Sequence, residues 1–184
     1  MEELNRLSVE EFRDSEKIPL VVVLENVRSA YNVGSVFRTA DAFLLQGVFT
    51  TGYTAFPPHK QISKTALGAD ESVFSRHFAD AAGAIAQLKE EGFQVFAVEQ
   101  VKGSLSLESV SALANRKIAV VFGNEVTGVE ESTISLCDGS LEIPQLGMKH
   151  SLNISVAAGI VLWEIAKPEV VRRKTLAEHA AKKS

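Results

Sequence analysis

The run Leu20–Leu24 is apolar throughout and rich in β-branched residues. Such a run is typical of a strand that is buried on both faces, as in a sheet covered by helices on each side. The run Ile118–Phe122 has the same character later in the chain. We therefore expect strands that lie between two layers of helices, and this expectation limits the fold more than any other feature of the sequence.

Helical and strand patterns alternate around these two runs. From Val33 to Phe43, apolar residues recur at helical spacing and form one buried stripe. The predicted elements are a short surface helix in Met1–Lys17, strands over Leu20–Leu24, Val48–Thr51, Val73–Phe78, Gln94–Val98, Ile118–Phe122 and Leu141–Ile143, and helices from Val33, over Ala79–Glu91, near Leu107–Ala114, over Val129–Cys137 and over Leu152–Lys167. This alternation predicts an α/β domain with a mainly parallel sheet and helices on both faces.

Proline and glycine positions predict where regular structure stops. The stretch Gly52–Gly68, which contains Pro57 and Pro58, is predicted as the longest irregular segment, and loops of this length are often functional. Pro168 is predicted to end the helix that Ser151 caps at its start. We expect a helical extension over residues 1–18, one α/β domain over residues 19–167 and a basic C-terminal helix or tail over residues 168–184.

Charge and cysteine content restrict the partners and the compartment. The net charge of −4 argues against binding a nucleic acid through a broad basic surface. Two local basic clusters are candidates for nucleic-acid contact, with solvated surface as the alternative, and they contain Lys60, Lys64, Arg172 and Arg173. A single cysteine, no signal-peptide pattern and no apolar stretch long enough to span a bilayer predict a cytoplasmic protein with no membrane partner.

Common cofactor and metal signatures are missing from the sequence. It contains no GxGxxG after the first strand, no phosphate-binding GxxxxGK[ST] and no GxSxG elbow. It also has no paired Cys or His residues at zinc spacing, so no metal site is predicted. A ligand is therefore expected in an apolar slot with main-chain hydrogen bonds, without a glycine-rich phosphate cradle.

Three polar clusters follow apolar strands directly. They are Glu25–Asp41, Phe122–Gly128 and Ile143–Ala157. Ligands of open parallel sheets bind beyond the carboxyl ends of the strands, which is where all three clusters are predicted to lie. The sequence therefore predicts one composite site that the three clusters share.

These clusters, in this order and spacing, resemble motifs 1, 2 and 3 of the SpoU (TrmH-like) branch of the SPOUT RNA methyltransferases. The resemblance covers Leu20 to Ala166. It implies a sheet whose C-terminal part is threaded into a deep trefoil knot, which generic topology rules would not suggest. It also implies a homodimer that binds S-adenosyl-L-methionine and methylates the ribose 2′-hydroxyl of an RNA, with transfer RNA as the first expectation and ribosomal RNA as the second.

The resemblance assigns roles residue by residue. The five catalytic positions are Asn32, Arg38, Glu125, Ser151 and Asn153. Val98, Gly123, Ile143 and Leu152 fall where the family contacts the cofactor. Leu146 and Met148 join them, because Pro144 and Gly147 break regular structure and favour a loop that wraps a ligand.

A ribose hydroxyl must lose its proton as it attacks the methyl group. The family's usual account makes Arg38 the general base, but a guanidinium hardly ever loses its proton in proteins. We expect Arg38 to anchor the neighbouring phosphate and to lower the cost of the developing oxyanion. Glu125 is expected to hold Arg38 in place, while Ser151 and Asn153 orient ribose and phosphate oxygens.

Each of these positions is also open to a structural interpretation. Arg38 suits the solvated face of a helix, and Glu125 suits a helix cap. Ile143, Leu146, Met148 and Leu152 are core residues by default. Trp163 is interpreted as a core or dimer contact. Two other functions remain open at this level: a catalytically inactive RNA-binding relative, and a nucleotide-binding α/β enzyme of another class.

Overall fold

The structure is a computed structural model that describes residues 7–113, 116–148 and 151–181. The helices are α1 (Val9–Asp14), α2 (Ala30–Ala42), α3 (Lys60–Ala66), α4 (Ala69–Ser72), α5 (Ala81–Glu90), α6 (Glu131–Leu136) and α7 (Ile154–Ala181), with a 3-10 helix at Leu107–Leu113. The strands are β1 (Ile18–Glu25), β2 (Leu45–Thr51), β3 (Ser75–Phe78), β4 (Gln94–Val98), β5 (Leu105–Ser106), β6 (Ile118–Phe122) and β7 (Gly139–Glu142). Strands β4 and β6 have the predicted bounds.

The strands of the described residues form one sheet in the order β3-β2-β1-β6-β4-β7-β5. Every pairing in it is parallel. Strand β1 lies in the middle, where Val22 is in register with Val48 of β2 and Val120 of β6. The carboxyl ends of β1, β6, β4 and β7 therefore meet at one edge of the sheet, and the predicted α/β fold class is confirmed.

Helices cover both faces of the sheet, which explains the uninterrupted apolar runs. Leu20, Val22 and Leu24 pack into the cluster that contains α2, α3 and α7. Val21 and Val23 point to the opposite face and pack against α5. Each of these side chains is almost completely buried, and burial of one such side chain stabilises the fold by roughly 1.5–3 kcal/mol.

The segment Gly52–Gly68 is not the irregular loop that the sequence predicts, because it contains α3. His59 caps this helix by accepting a hydrogen bond from Gln61 N–H at 3.2 Å. Ile62 and Ala66, one turn apart, are buried against α2. The packing is close because Gly34 of α2 has no side chain, and a Cβ there would overlap Thr65 and the carbonyl of Ile62. Tertiary packing thus stabilises a helix with a weak sequence pattern.

Helix α7 continues through Pro168, so the predicted helix end at this residue is wrong. The turns that follow have their own support. Val170 packs against the core cluster, and Glu169 accepts hydrogen bonds from Arg172 and Arg173. Arg173 also donates to the carbonyl of Glu16. These contacts offset the loss of one helical hydrogen bond at the proline.

The described residues also carry an N-terminal helix, α1, whose capping box joins Ser8 and Glu11 and whose Phe12 is buried. The division of the chain at residues 18 and 167 stays a prediction, as does the trefoil knot. Among the described helices, none has both the length and the apolar character required to cross a membrane.

Candidate active site

The three polar clusters meet at the carboxyl edge of the sheet. Asn32 of α2 donates a side-chain hydrogen bond to Glu125, which follows β6, at 3.0 Å. Asn153, which precedes α7, donates to the Oδ1 atom of Asn32 at 3.4 Å. One residue from each cluster thus takes part in a single chain of side-chain contacts, and each hydrogen bond joins residues at least 93 positions apart along the sequence.

Glu125 binds the loop that leads into α2. Its carboxylate accepts hydrogen bonds from Arg28 N–H at 2.9 Å and Ser29 N–H at 3.1 Å, in addition to the amide of Asn32. Burial raises the pKa of Glu125, but the hydrogen bonds from these groups outweigh it and lower the pKa below its usual value. Glu125 is therefore ionised at neutral pH, and its lone pairs are already engaged.

The expectation that Glu125 holds Arg38 is wrong, because its partners are the loop N–H groups and Asn32. Arg38 is exposed on another side of α2. There it lines a groove of about 480 Å³ together with Ser35, Thr39 and Lys64. Arg38 and Glu125 thus belong to two separate concave surfaces within one chain.

Asn153, and not Ser151, occupies the cap of the last helix. The side chain of Asn153 accepts from Ser155 N–H at 2.9 Å, and its carbonyl accepts from Ala157 N–H. The predicted N-cap at Ser151 is therefore wrong, because the helix begins at Ile154. Ser151 instead lines the main cavity of the site.

That cavity has a volume of about 660 Å³ and lies beyond the carboxyl ends of β4, β6 and β7. Its lining includes four of the six predicted cofactor positions, which are Val98, Gly123, Ile143 and Leu152. Leu146 and Met148 project into solvent outside the described lining. The assignment of all six to cofactor binding stays a prediction.

The cavity is acidic. Its described lining contains four carboxylates and neither Lys nor Arg, and the four are Glu99, Glu125, Glu131 and Glu142. Apolar side chains, among them those of Phe122, Ile143 and Ile154, also form part of its wall. Such a cavity favours a ligand that is apolar and cationic, and it repels phosphate groups.

Backbone segments cross closely at the wall of this cavity. A Cβ at Gly123 would overlap the carbonyl carbon of Gly128 and the nitrogen of Val129. Asn124 N–H donates to the Gly128 carbonyl at 3.0 Å, and Gly128 N–H donates back at 2.9 Å. Glu99, at the end of β4, accepts from Val129 N–H at 3.1 Å. The loop after β6 is thus held on two sides before any ligand binds.

Sequence reasoning missed a polar network beside this loop. Asn26, whose backbone has a positive φ of 52°, donates through its side chain to Glu130 and accepts from Tyr53 N–H. The Asn124 amide donates to the Asn26 carbonyl at 2.8 Å and to the Tyr53 hydroxyl at 2.6 Å. The only sequence signal was the asparagine after β1, since asparagine tolerates the left-handed region better than most residues.

Glu25 is a second residue that the sequence reasoning did not single out. It is buried at the end of β1 and accepts hydrogen bonds from Glu130 N–H and the Thr133 hydroxyl. Burial raises the pKa of this carboxyl, and the two hydrogen bonds oppose that rise. Glu25 therefore fixes the start of α6, which has no cap from its own N-cap side chain.

The four predicted RNA-binding residues fall into two different environments. Lys60 and Lys64 are exposed, one turn apart on α3. Arg172 and Arg173 both bind Glu169, at 2.6 Å each. These hydrogen bonds lower the pKa of Glu169 to about 2. The lysines thus face solvent, while the two arginines share one carboxylate.

Comparison with known families identifies the chain. The SpoU rRNA Methylase family matches residues 19–163, which include all three polar clusters. The chain belongs to the SpoU family. This SpoU protein is 35% identical over 162 residues to a tRNA (guanosine(18)-2′-O)-methyltransferase of Thermus thermophilus, a match that covers 88% of the chain and 81% of the relative.

Other relatives of the SpoU protein are ribosomal RNA enzymes. A 23S rRNA (guanosine-2′-O-)-methyltransferase of Vibrio parahaemolyticus is 28% identical over 93% of the chain and 68% of the relative. Among solved structures, the TrmH/SpoU tRNA modifying enzyme of A. aeolicus matches with a TM-score of 0.77 and 25% identity, covering 89% of this chain and 83% of that chain. An AdoMet-bound rRNA methyltransferase from Sinorhizobium meliloti matches with a TM-score of 0.75 and 26% identity, covering 85% of this chain and 59% of that chain.

Proposed function

We propose that this protein is an S-adenosyl-L-methionine-dependent methyltransferase that modifies the ribose 2′-hydroxyl of an RNA. The acidic cavity beside the Asn32–Glu125–Asn153 chain of contacts carries this proposal. It combines carboxylates with apolar walls and contains neither Lys nor Arg in its described lining. The names of the SpoU relatives, which are tRNA and rRNA 2′-O-methyltransferases, point to the same chemistry.

The residues of the cavity fit this cofactor. S-adenosyl-L-methionine has no phosphate, and it supplies a methyl group on a positively charged sulfur. The carboxylates of Glu99 and Glu142 favour a positive charge, and the apolar side chains of Val98, Ile143 and Leu152 suit an adenine ring. A nucleoside triphosphate or a dinucleotide would bring its phosphates beside four carboxylates, and the like charges would repel each other. The alternative hypothesis of a nucleotide-binding enzyme is therefore disfavoured.

The RNA chain is assigned to the groove that Arg38 and Lys64 line. Arg38 can bind a phosphate through two parallel hydrogen bonds, which a lysine cannot do. Its permanent charge also lowers the free energy of an oxyanion that develops on the ribose. In this proposal the acidic cavity holds the cofactor, and the separate basic groove holds the polyanion.

Glu125 acts as a positioning residue in this proposal. Its lowered pKa and its three hydrogen bonds make it a poor proton acceptor. It fixes the side-chain amide of Asn32, which in turn accepts a hydrogen bond from Asn153. Holding these polar groups in place before the substrate binds contributes a large share of the rate enhancement in such reactions.

We propose transfer RNA as the first substrate and ribosomal RNA as the second, in the cytoplasm. The Thermus thermophilus relative, which covers most of the chain, is a tRNA enzyme. A homodimer completes the proposal. Val156, Ile160 and Trp163 form an exposed apolar stripe along α7, and Trp163 packs against Phe43 with ring centroids 5.5 Å apart. A second copy that covers this stripe would lie beside both α2 and α7.

Two measurements test the proposed function, and a third tests the dimer. Titration calorimetry should show binding of S-adenosyl-L-methionine and none of ATP or NAD. Transfer of a labelled methyl group to tRNA transcripts should follow, and a transcript with a 2′-deoxyribose at the acceptor nucleotide should remain unlabelled. Cofactor binding without transfer to tRNA or rRNA would favour the catalytically inactive relative, and sedimentation as a monomer at micromolar concentration would exclude the dimer.

A further inference from the structure

Phe56 and His77 form a stacked pair outside the candidate active site. Their ring centroids are 4.2 Å apart and the two planes differ by 23°. Phe56 lies between β2 and α3, and His77 lies on the edge strand β3. The imidazole of His77 is fixed from a second side by a 3.0 Å hydrogen bond between its Nδ1 atom and the Thr50 hydroxyl.

The outer part of the Phe56 ring is open to solvent, since 48% of the residue is exposed. Two prolines, Pro57 and Pro58, follow it directly and restrict the backbone of the segment. An aromatic side chain that is already immobilised loses little conformational entropy when a second ring stacks on it. The pair is therefore a preorganised aromatic surface, unlike a flexible exposed phenylalanine.

The pair shares one side of the sheet with the basic helix α3. Thr50 and His77 are in register on β2 and β3. The neighbouring Phe49 belongs to the cluster on the α5 side, so Thr50 and His77 point to the opposite side. Ile62 of α3 is buried in the cluster on that same side.

Cations connect this surface to the groove that is assigned to the RNA. Arg38 and Lys64 line the same groove between α2 and α3. Lys60 lies one helical turn before Lys64, and both lysines are exposed. Lys60 follows Phe56 by four residues. A series of three positive charges thus leads from α2 towards the aromatic pair.

We propose that the Phe56 ring, supported by His77, is a stacking platform for an unpaired base of the RNA substrate. The proposal rests on the proposed function and adds a recognition site to it. Phosphates of a single strand bind Arg38, Lys64 and Lys60, and a base further along the strand stacks on the exposed face of Phe56. Proteins that bind single-stranded nucleic acids combine a positively charged groove along the backbone with aromatic side chains on which bases stack.

The test compares an oligoribonucleotide of mixed sequence with an abasic backbone of equal length, by fluorescence anisotropy. Phe56→Ala should weaken binding of the oligoribonucleotide about tenfold, which is typical for the loss of one stacked base. Binding of the abasic backbone should not change. Phe74→Ala is the control, because Phe74 is a still more exposed phenylalanine, at 60%, that directly precedes β3 and so lies at the amino end of that strand. Lys60→Ala with Lys64→Ala should weaken binding of both ligands.

A second variant, Phe56→Trp, reports on stacking directly and keeps the aromatic ring. The parent has a single tryptophan, Trp163, and serves as the blank. Tryptophan fluorescence of the variant should be quenched by the oligoribonucleotide and not by the abasic backbone. Equal affinities of parent and Phe56→Ala for the oligoribonucleotide, or no quenching in Phe56→Trp, would overturn the platform.

The proposed function has its own readout. If the parent transfers methyl groups to tRNA and Phe56→Ala does not change the affinity for RNA, the stacking platform alone is refuted. A parent that binds RNA but transfers no methyl group would refute the proposed activity, and the stacking comparison would still be decided by the two variants. A parent that binds no RNA at all would refute both.

Discussion

The side-chain amide of Asn32 and the carboxylate of Glu125 are joined by a hydrogen bond of 3.0 Å. Asn32 lies in the first turn of α2, and Glu125 lies in the loop after β6. The contact connects the carboxyl ends of two adjacent strands, β1 and β6. It also makes Glu125 a structural support of the α2 entrance, which determines what its substitution should do.

Replacement of Glu125 by Gln should lower both stability and catalysis. The new amide group would point a donor at backbone N–H groups that now donate to a carboxylate. We expect a loss of about 1 kcal/mol in the free energy of unfolding, because hydrogen bonds to a carboxylate are lost at a site that is exposed to solvent. Denaturant unfolding and single-turnover methyl transfer measure the two effects. Glu131→Gln, which removes a charge from the same cavity, is the control and should leave stability nearly unchanged.

Arg38→Ala should abolish methyl transfer and leave the affinity for S-adenosyl-L-methionine nearly unchanged. Arg38 lines the groove with Lys64 and is not part of the cavity lining. Arg38→Lys should restore little activity, because lysine lacks the planar pair of donors. Titration calorimetry with the cofactor separates the two surfaces, and a large loss of cofactor affinity in Arg38→Ala would contradict this division.

Lys60→Ala combined with Lys64→Ala should weaken tRNA binding and flatten its salt dependence. Fewer counterions are released when fewer phosphates are neutralised, so the slope of affinity against salt should fall by about two. Arg172→Ala with Arg173→Ala is the matched pair, and it should change the slope less because both arginines bind Glu169. Affinities at several salt concentrations give the slopes. A larger change in the slope for the arginine pair would indicate that the RNA binds to the C-terminal helix instead.

Gly34→Ala should destabilise the protein by about 1–3 kcal/mol, as overpacking does in well-packed contacts. The added methyl group would overlap Thr65 and the Ile62 carbonyl and force α2 away from α3. Gly83→Ala in α5 is the control, because its Cβ would meet neighbours at ordinary distances of 3.5 and 3.7 Å. That variant should be stabilised by about 0.5–1 kcal/mol through the helix preference of alanine. Thermal unfolding of both variants checks the difference in sign.

Glu169→Gln should remove part of the acid sensitivity of the protein. The pKa of Glu169 is lowered from its ordinary value of 4.5 to about 2 by Arg172 and Arg173. The stabilisation from this carboxylate is therefore complete above pH 4.5 and is lost as the pH falls towards 2. We expect the variant to be less stable by about 1 kcal/mol at neutral pH, since the ion pairs are partly exposed. Urea unfolding of parent and variant should converge at the acid end of this range.

The sequence by itself determined the elements with a strong local pattern of apolar residues. The apolar runs at Leu20–Leu24 and Ile118–Phe122 are typical of strands covered on both faces, and the sheet has them side by side. The order of the three polar clusters predicted the family and a shared site at the carboxyl edge, because parallel strands end there together. These predictions depend on spacing within short segments, which the sequence displays directly.

The tertiary structure alone decided which polar groups meet. Glu125 binds the Arg28–Ser29 loop and Asn32 in place of Arg38, because the adjacent strands β1 and β6 bring their loops together, while Arg38 projects from another side of α2. Helix α3 exists because Gly34 admits it against α2, and α7 passes Pro168 because later turns are held by packing and ion pairs. Phe56 and His77 are 21 residues apart, and they meet because the segment that follows β2 packs beside β3. Such contacts arise from the packing of distant segments, and they therefore produce no local pattern in the sequence from which they could be predicted.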